Sequence, residues 1–218
     1  MTRRSMTAWL AGALALIAVP FSQQARADDA ADTAGATDLI QTLGSEAVQV
    51  LKNKSETTFE QREAKFRELL TQGFDIKTIS RFVIGKYWKQ MSDEQKQAYN
   101  DVFVDFITRV YAARFDAYSG ETFEMVQTVK DSSNDYWVRT RIHRPGGGGQ
   151  PIAVDYRVRP NEGTYKVVDV VVEGISMLNT HRVEFASVAD KRGIDGLIQE
   201  LHARLEQPVG AAAGQTGG

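Results

Sequence analysis

From Phe74 to Trp88 the apolar positions Ile76, Ile79, Phe82, Val83 and Tyr87 recur three and four residues apart, and Ile84 and Trp88 widen the stripe. This predicts a helix capped by Asp75 with one broad aromatic face. Such a face needs a large apolar partner, and the pattern offers two: the long helix that follows and a valine-rich sheet beyond it. Upstream, Leu39, Ile40, Leu43, Ala47, Val48 and Leu51 predict a first helix with Thr37 as its cap. A second helix follows the capping box Thr58-Phe59-Glu60-Gln61, carries Phe59, Phe66, Leu69 and Leu70, and is closed by Gly73. The capping box Ser92-Asp93-Glu94-Gln95 opens the longest helix, with Tyr99, Val102, Phe103, Phe106, Ile107, Val110, Tyr111, Phe115 and Tyr118 on its apolar side. Ser119-Gly120 ends it.

The period then changes to two. Strands are predicted over 122–129 and 136–143, over the alternation Ile152, Val154, Tyr156, Val158, and over 165–173 with Val168, Val170 and Val172 inward. The connections are short, which implies an antiparallel meander. Placing Val138, Thr140 and Ile142 inward with Val154, Tyr156 and Val158 fits a pairing in which Arg141 faces Asp155, Arg139 faces Arg157 and Trp137 faces Arg159. That register collects Arg139, Arg141, Arg157 and Arg159 into an outer basic strip, a candidate docking surface for an acidic partner or a lipid headgroup. Its alternative is a solvated sheet face balanced by Asp155. Two short helices close the domain, one from Thr180 to Arg192 ended by Gly193, the other after Asp195. Helices, then a meander, then helices is an α+β order with helices against one sheet face.

The first 27 residues stand apart. Arg3 and Arg4 precede an apolar run from Trp9 to Val19, and Ala25-Arg26-Ala27 is a small-x-small cleavage motif, so residues 1–27 are expected to be a cleaved secretory signal and the protein exported. Residues 28–36 and 207–218 are expected as flexible tails around one domain at 37–206, made of helices over 37–118, a sheet over 122–174 and helices over 180–206. Removing Arg3, Arg4 and Arg26 from the 26 basic side chains leaves 23 against 28 acidic ones, a net charge of −5. That balance disfavours a generic nucleic-acid binder. The chain has no cysteine. An exported protein without disulfides must be held by its core, and without cysteine it has no thiol to acylate.

Chemistry is sparse. There is no G-x-S-x-G, H-E-x-x-H, P-loop or strand-linked G-x-G-x-x-G pattern, and His143, His181 and His202 fall in separate elements without ligand spacing. No catalytic residue, metal or cofactor is therefore expected. Asp155 lies on the arginine side. Asp169 is the better candidate for a polar group near a cavity or capping a helix, and its alternative role is a proton-transfer base. What the residues supply is excess apolar surface, which can close as a solid core or as a cone open at one end.

Three segments resemble the MlaC family of periplasmic phospholipid carriers, also called the toluene-tolerance group. They are Asp75-Ile76 through Ile79, Arg81-Phe82-Val83-Ile84-Gly85-Lys86-Tyr87-Trp88; the Phe103 to Tyr118 helix ending Tyr118-Ser119-Gly120; and Lys166-Val167-Val168-Asp169-Val170-Val171-Val172-Glu173-Gly174-Ile175-Ser176-Met177 with Arg182, Glu184 and Phe185. The segments Tyr118 to Thr122 and Arg144 to Gly147 also resemble the hopanoid-associated HpnM branch. The resemblance implies an NTF2-like curved antiparallel sheet with a packed helical subdomain enclosing a lipid pocket. It implies a monomeric, non-enzymatic periplasmic carrier of phospholipid, or alternatively of a hopanoid-type lipid. Its partners would be an outer-membrane lipoprotein complex and an inner-membrane ABC transporter with an MCE-domain protein. Combined with the alternation above, it places the pocket at Phe82, Val83, Trp88, Phe106, Tyr111, Val138, Ile142, Val154, Tyr156, Val168, Val170, Val172 and Ile175.

Overall fold

The computed structural model describes residues 21–115 and 118–207. Four helices come first: α1 (Phe21–Lys52), α2 (Phe59–Gly73), α3 (Ile76–Ile84), continued by a 3-10 segment Gly85–Gln90, and α4 (Asp93–Phe115). A five-stranded antiparallel sheet follows in sequential order: β1 (Thr122–Lys130), β2 (Tyr136–His143), β3 (Ile152–Asn161), β4 (Thr164–Val172) and β5 (Ile175–Ser176). The last helix, α5 (Met177–Leu205), is broken at Gly193, whose φ of 71° and ψ of −177° lie outside the helical region. It is thus the two helices the pattern predicted, joined end to end.

Local signals set the boundaries. Thr58 N–H donates to the Gln61 side chain at 2.9 Å while Gln61 N–H donates to Thr58 Oγ1 at 3.3 Å, and Ser92 and Gln95 repeat the exchange at 3.1 and 3.2 Å. Asp75 Oδ1 accepts from Thr78 N–H at 3.0 Å and so starts α3. Gly85, at φ 57°, stops it in a left-handed conformation that a side chain would strain.

Three apolar clusters result, the smallest joining Leu51, Phe66 and Ala112 where α1, α2 and α4 meet. In the largest, Val83 and Ile84 of α3 meet Tyr99, Phe103, Phe106 and Val110 of α4 and Phe185, Leu197 and Leu201 of α5. Phe185 is its hub, with ring centroids 6.5, 6.1 and 5.8 Å from Tyr99, Phe103 and Phe106. Each such ring contributes roughly 1.5–3 kcal/mol by leaving water. The second cluster lies under α1, where Ala36 and Ile40 cover Tyr136, Val138, Val158 and Val167 of the sheet.

Several expectations are corrected. Residues 28–36 are part of α1, and Ala36 is fully buried. Alanine's helix propensity and that contact carry the helix through a stretch with few large apolar groups. Thr37 is inside the helix: its hydroxyl donates to Thr33 O at 2.7 Å and lies 2.7 Å from the Thr128 hydroxyl. The β2–β3 register is offset by two residues from the predicted one, so that Arg139 faces Asp155, Trp137 faces Arg157 and Arg141 faces Ala153. The observed pairing replaces two like charges with an opposite-charge pair, Arg139 Nε lying 4.0 Å from Asp155. Finally, Arg157 pairs with Asp169 and Val158 with Val167, which leaves Val168 as a bulge. The inward alternation is Val172, Val170, Val167, in place of the predicted Val172, Val170, Val168.

Candidate functional site

Between α1, α2, the C-terminal half of α4 and the inner face of the sheet lies a cavity of about 380 Å³. Ile40, Leu43, Ala47, Val48 and Leu51 of α1 form one wall, and Phe66, Leu69 and Leu70 of α2 a second. Tyr111 and Phe115 of α4 with Phe123, Ile142, Ile152, Tyr156 and Val170 of the sheet complete it. A smaller chamber of about 100 Å³ lies between α3, the start of α5 and β4, among Ile76, Ile79, Val83, Val168 and Leu178. Leu70, Phe74, Tyr111 and Val170 line both, so the two share a wall.

α1 can lie this close because position 44 is glycine. A Cβ there would stand 2.8 Å from the Phe123 ring, inside contact distance, so the residue is small where the helix crosses a cavity-lining aromatic. The charged side chains on the lining are Arg114 and Glu121. Arg114 stacks over Tyr111 with its guanidinium carbon 5.5 Å from the ring centre. Hydrogen bonding from the Ser119 backbone N–H, 2.8 Å away, holds the Glu121 carboxyl below its usual range.

The tyrosines add no charge. Burial pushes the Tyr111 and Tyr156 hydroxyls up to about 12, so both stay protonated across the physiological range. Tyr111 reaches His181 Nε2 at 3.3 Å, and His181 Nδ1 lies 3.6 Å from Glu184, which is ion-paired with Arg204. Asp169 accepts from Ser176 Oγ at 2.7 Å and from Leu178 N–H at 3.2 Å; it caps the foot of α5.

Of the residues predicted for a pocket, Tyr111, Ile142, Tyr156 and Val170 line the large chamber, and Val83 and Val168 the small one. Phe106, Val138 and Val154 are buried but line neither: Phe106 belongs to the solid helical core and Val138 to the cluster under α1. Trp88 packs on the helical core, Val172 lines neither chamber, and Phe82 and Ile175 point to solvent, 39% and 60% exposed. The walls from α1 and α2 were missed. Their signal was present as apolar stripes, but a stripe that faces a cavity has the same spacing as one that faces a core. The arginine strip is largely neutralised within the protein: Asp135, with 2% of its side chain exposed, accepts from Arg157 Nε at 2.7 Å and from Arg159 at 2.8 Å, and Arg141 donates to Thr140 O at 2.9 Å.

Residues 41–203 match the family model described as MlaC protein. The chain belongs to the MlaC family. Over 130 residues it is 28% identical to the intermembrane phospholipid transport system binding protein MlaC of Haemophilus influenzae, a stretch equal to 58% of this chain and 60% of that protein. The chain therefore aligns with less than two thirds of that MlaC relative. A phospholipid-binding protein from Ralstonia solanacearum, solved in complex with a phospholipid, shares the fold with a TM-score of 0.67 at 26% identity, over 79% of this chain and 99% of that one. Both chambers lie within the part of the chain that the MlaC model matches, save for Ile40 on the rim of the match.

Proposed function

We propose that this chain is a phospholipid carrier of the MlaC type, which holds acyl chains between α1, α2, α4 and the sheet. The observation that carries the reading is the large, almost wholly apolar cavity, in a chain whose structural relative was solved with a phospholipid. Arg114 and Glu121 mark the end where a polar headgroup would sit. The signal-like residues 1–27 support a periplasmic site for this activity, and membership of the MlaC family supports the membrane complexes of an Mla-type ABC system as its partners.

The energetics explain the architecture. At about 0.8 kcal/mol per methylene, two chains of about 30 methylenes in total would cost on the order of 20 kcal/mol to expose to water. A carrier must offer a nearly complete apolar sleeve, and direction of transport then comes from its partners.

Native mass spectrometry of the protein purified without detergent, followed by lipid extraction, tests the reading. A stoichiometric phospholipid is expected; a hopanoid would change the cargo, and an empty protein would overturn the carrier. Val170 lines both chambers, so Val170→Glu is expected to fold and to lose bound lipid at least tenfold, because an unpaired carboxylate there opposes burial of methylenes. Unchanged lipid content in that variant would remove the cavity from the role.

A further inference from the structure

The stretch from Ile76 to Gln90 contains Lys77, Arg81, Lys86 and Lys89 and no acidic residue, in a chain whose net charge is −2. α3 buries Val83 and Ile84, which leaves Lys77, Arg81 and Phe82 on its outer side. Lys86 pairs with Asp190 at 3.2 Å. Lys77, Arg81, Lys89 and, from α5, Arg182 have no carboxylate within ion-pair distance among the described residues. The contrast with Arg157, Arg159, Arg192 and Arg204, all paired, is plain. Arg81 and Arg182 instead lie over aromatic rings, Arg81 at 5.7 Å from Trp88 and Arg182 at 4.5 Å from Phe82, with Arg182 also donating to Phe82 O at 3.1 Å. Exposed apolar groups lie on the same elements: Phe82 on α3 beneath Arg182, Val183 next to Arg182 in α5, and Ile175 in β5 just before α5.

We propose that this face of α3 and the start of α5 is a docking surface for a bilayer containing anionic phospholipid. Cations set around outward-pointing apolar side chains match the charge and layering of a bilayer interface. Phe82, Ile175 and Val183 stand outside the walls of both chambers. The patch lies directly over the smaller chamber, whose walls are Ile76, Ile79 and Val83 of α3 and Met177 and Leu178 of α5. Docking would therefore bring one end of the cavity to the membrane. The proposal deepens the carrier reading and rests on it.

The test is flotation of the purified protein with vesicles of phosphatidylcholine alone or mixed with phosphatidylglycerol. Binding is expected only to the mixed vesicles, and is expected to fall with salt. The double variant Lys77→Glu, Arg81→Glu is expected to reduce it at least about tenfold, and the separate pair Arg182→Glu, Val183→Ser to weaken it as well, so that misfolding of one variant leaves the other informative. The same charge reversals at Lys65 and Arg144, which lie on other elements, are expected to change little. Equal binding to both vesicle types, no binding to either, or unaltered flotation of both patch variants would overturn the proposal, as would loss of an acidic protein partner without any vesicle binding. Lipid content by mass spectrometry reads the carrier role separately: a loaded protein that ignores vesicles overturns docking alone, and an empty protein that binds them overturns the carrier alone.

Discussion

At the scale of single residues, polar groups near the cavity are occupied in holding helices together. Burial opposes ionisation of Glu184, but the nearby His181 and the ion pair with Arg204 outweigh it and hold the carboxyl below its usual range. A carboxyl depressed in the folded state adds stability above its unfolded value, and that stability is lost as pH falls through the folded one. Glu184→Gln is thus expected to lower stability by about 1–3 kcal/mol near neutral pH, and the gap from the unmodified protein to close below about pH 4. Urea denaturation at the two pH values would show it; an equal gap at both would mean that Glu184 acts through shape alone. A second expectation concerns Gly44. Gly44→Val drives its side chain into the Phe123 ring, and the ring's available refuge is the cavity. Bound lipid should fall several-fold by mass spectrometry, while a loss of fold without loss of lipid among the remaining folded molecules would place the strain elsewhere.

At the scale of elements, α1 and α4 have unlike roles. α4 buries Tyr99, Val102, Phe103, Phe106, Ile107 and Val110 in the solid core. From Ile40 to Leu51, α1 spends its apolar face mostly on the cavity. Hydrogen exchange should therefore show α1 amides from Ile40 to Leu51 slowed by bound lipid, and α4 amides from Val102 to Val110 slow with or without it. Lipid-independent exchange in α1 would deny that the helix closes on cargo. The same contrast explains what was legible in the chain. Capping boxes at Thr58 and Ser92 and the Asp75 cap follow from residues three apart, and the limits of β2 from alternation, so all were readable. The pairing of β2 with β3 depends on Asp155 meeting Arg139 across strands, and the bulge at Val168 on how β4 follows β3 past Arg157, neither of which is local. Of the residues that periodicity put toward a pocket, Tyr111, Tyr156 and Val170 line the chambers. Phe106 and Val138 pack into filled clusters, because periodicity reports which side a residue faces, not whether the space there is filled.

At the scale of the whole molecule, no cysteine and no disulfide restrains the fold, so the three apolar clusters and any cargo supply its cohesion. A ligand bound at a hundred times its dissociation constant adds about 2.7 kcal/mol, and in a domain of this size each kcal/mol moves the melting temperature by about 2–4 °C. Delipidated protein is expected to melt roughly 5–10 °C below the loaded form by calorimetry; coincident melting would mean that the cavity closes on itself when empty.

The bulge in β4 bears on how such a molecule changes over evolutionary time. Because Val168 is the one residue of β4 without a partner on β3, the strand turns Val170 toward both chambers and Val167 toward α1. Deleting Val168 would restore an uninterrupted ladder in which Asp169 still faces Arg157 and Val167 still faces Val158, and would remove a valine that lines only the smaller chamber. The wall of the smaller chamber is thus written in chain length as well as in side-chain identity, and loss of one residue from this strand is a route to cargo of a different girth that leaves the larger chamber's lining in place.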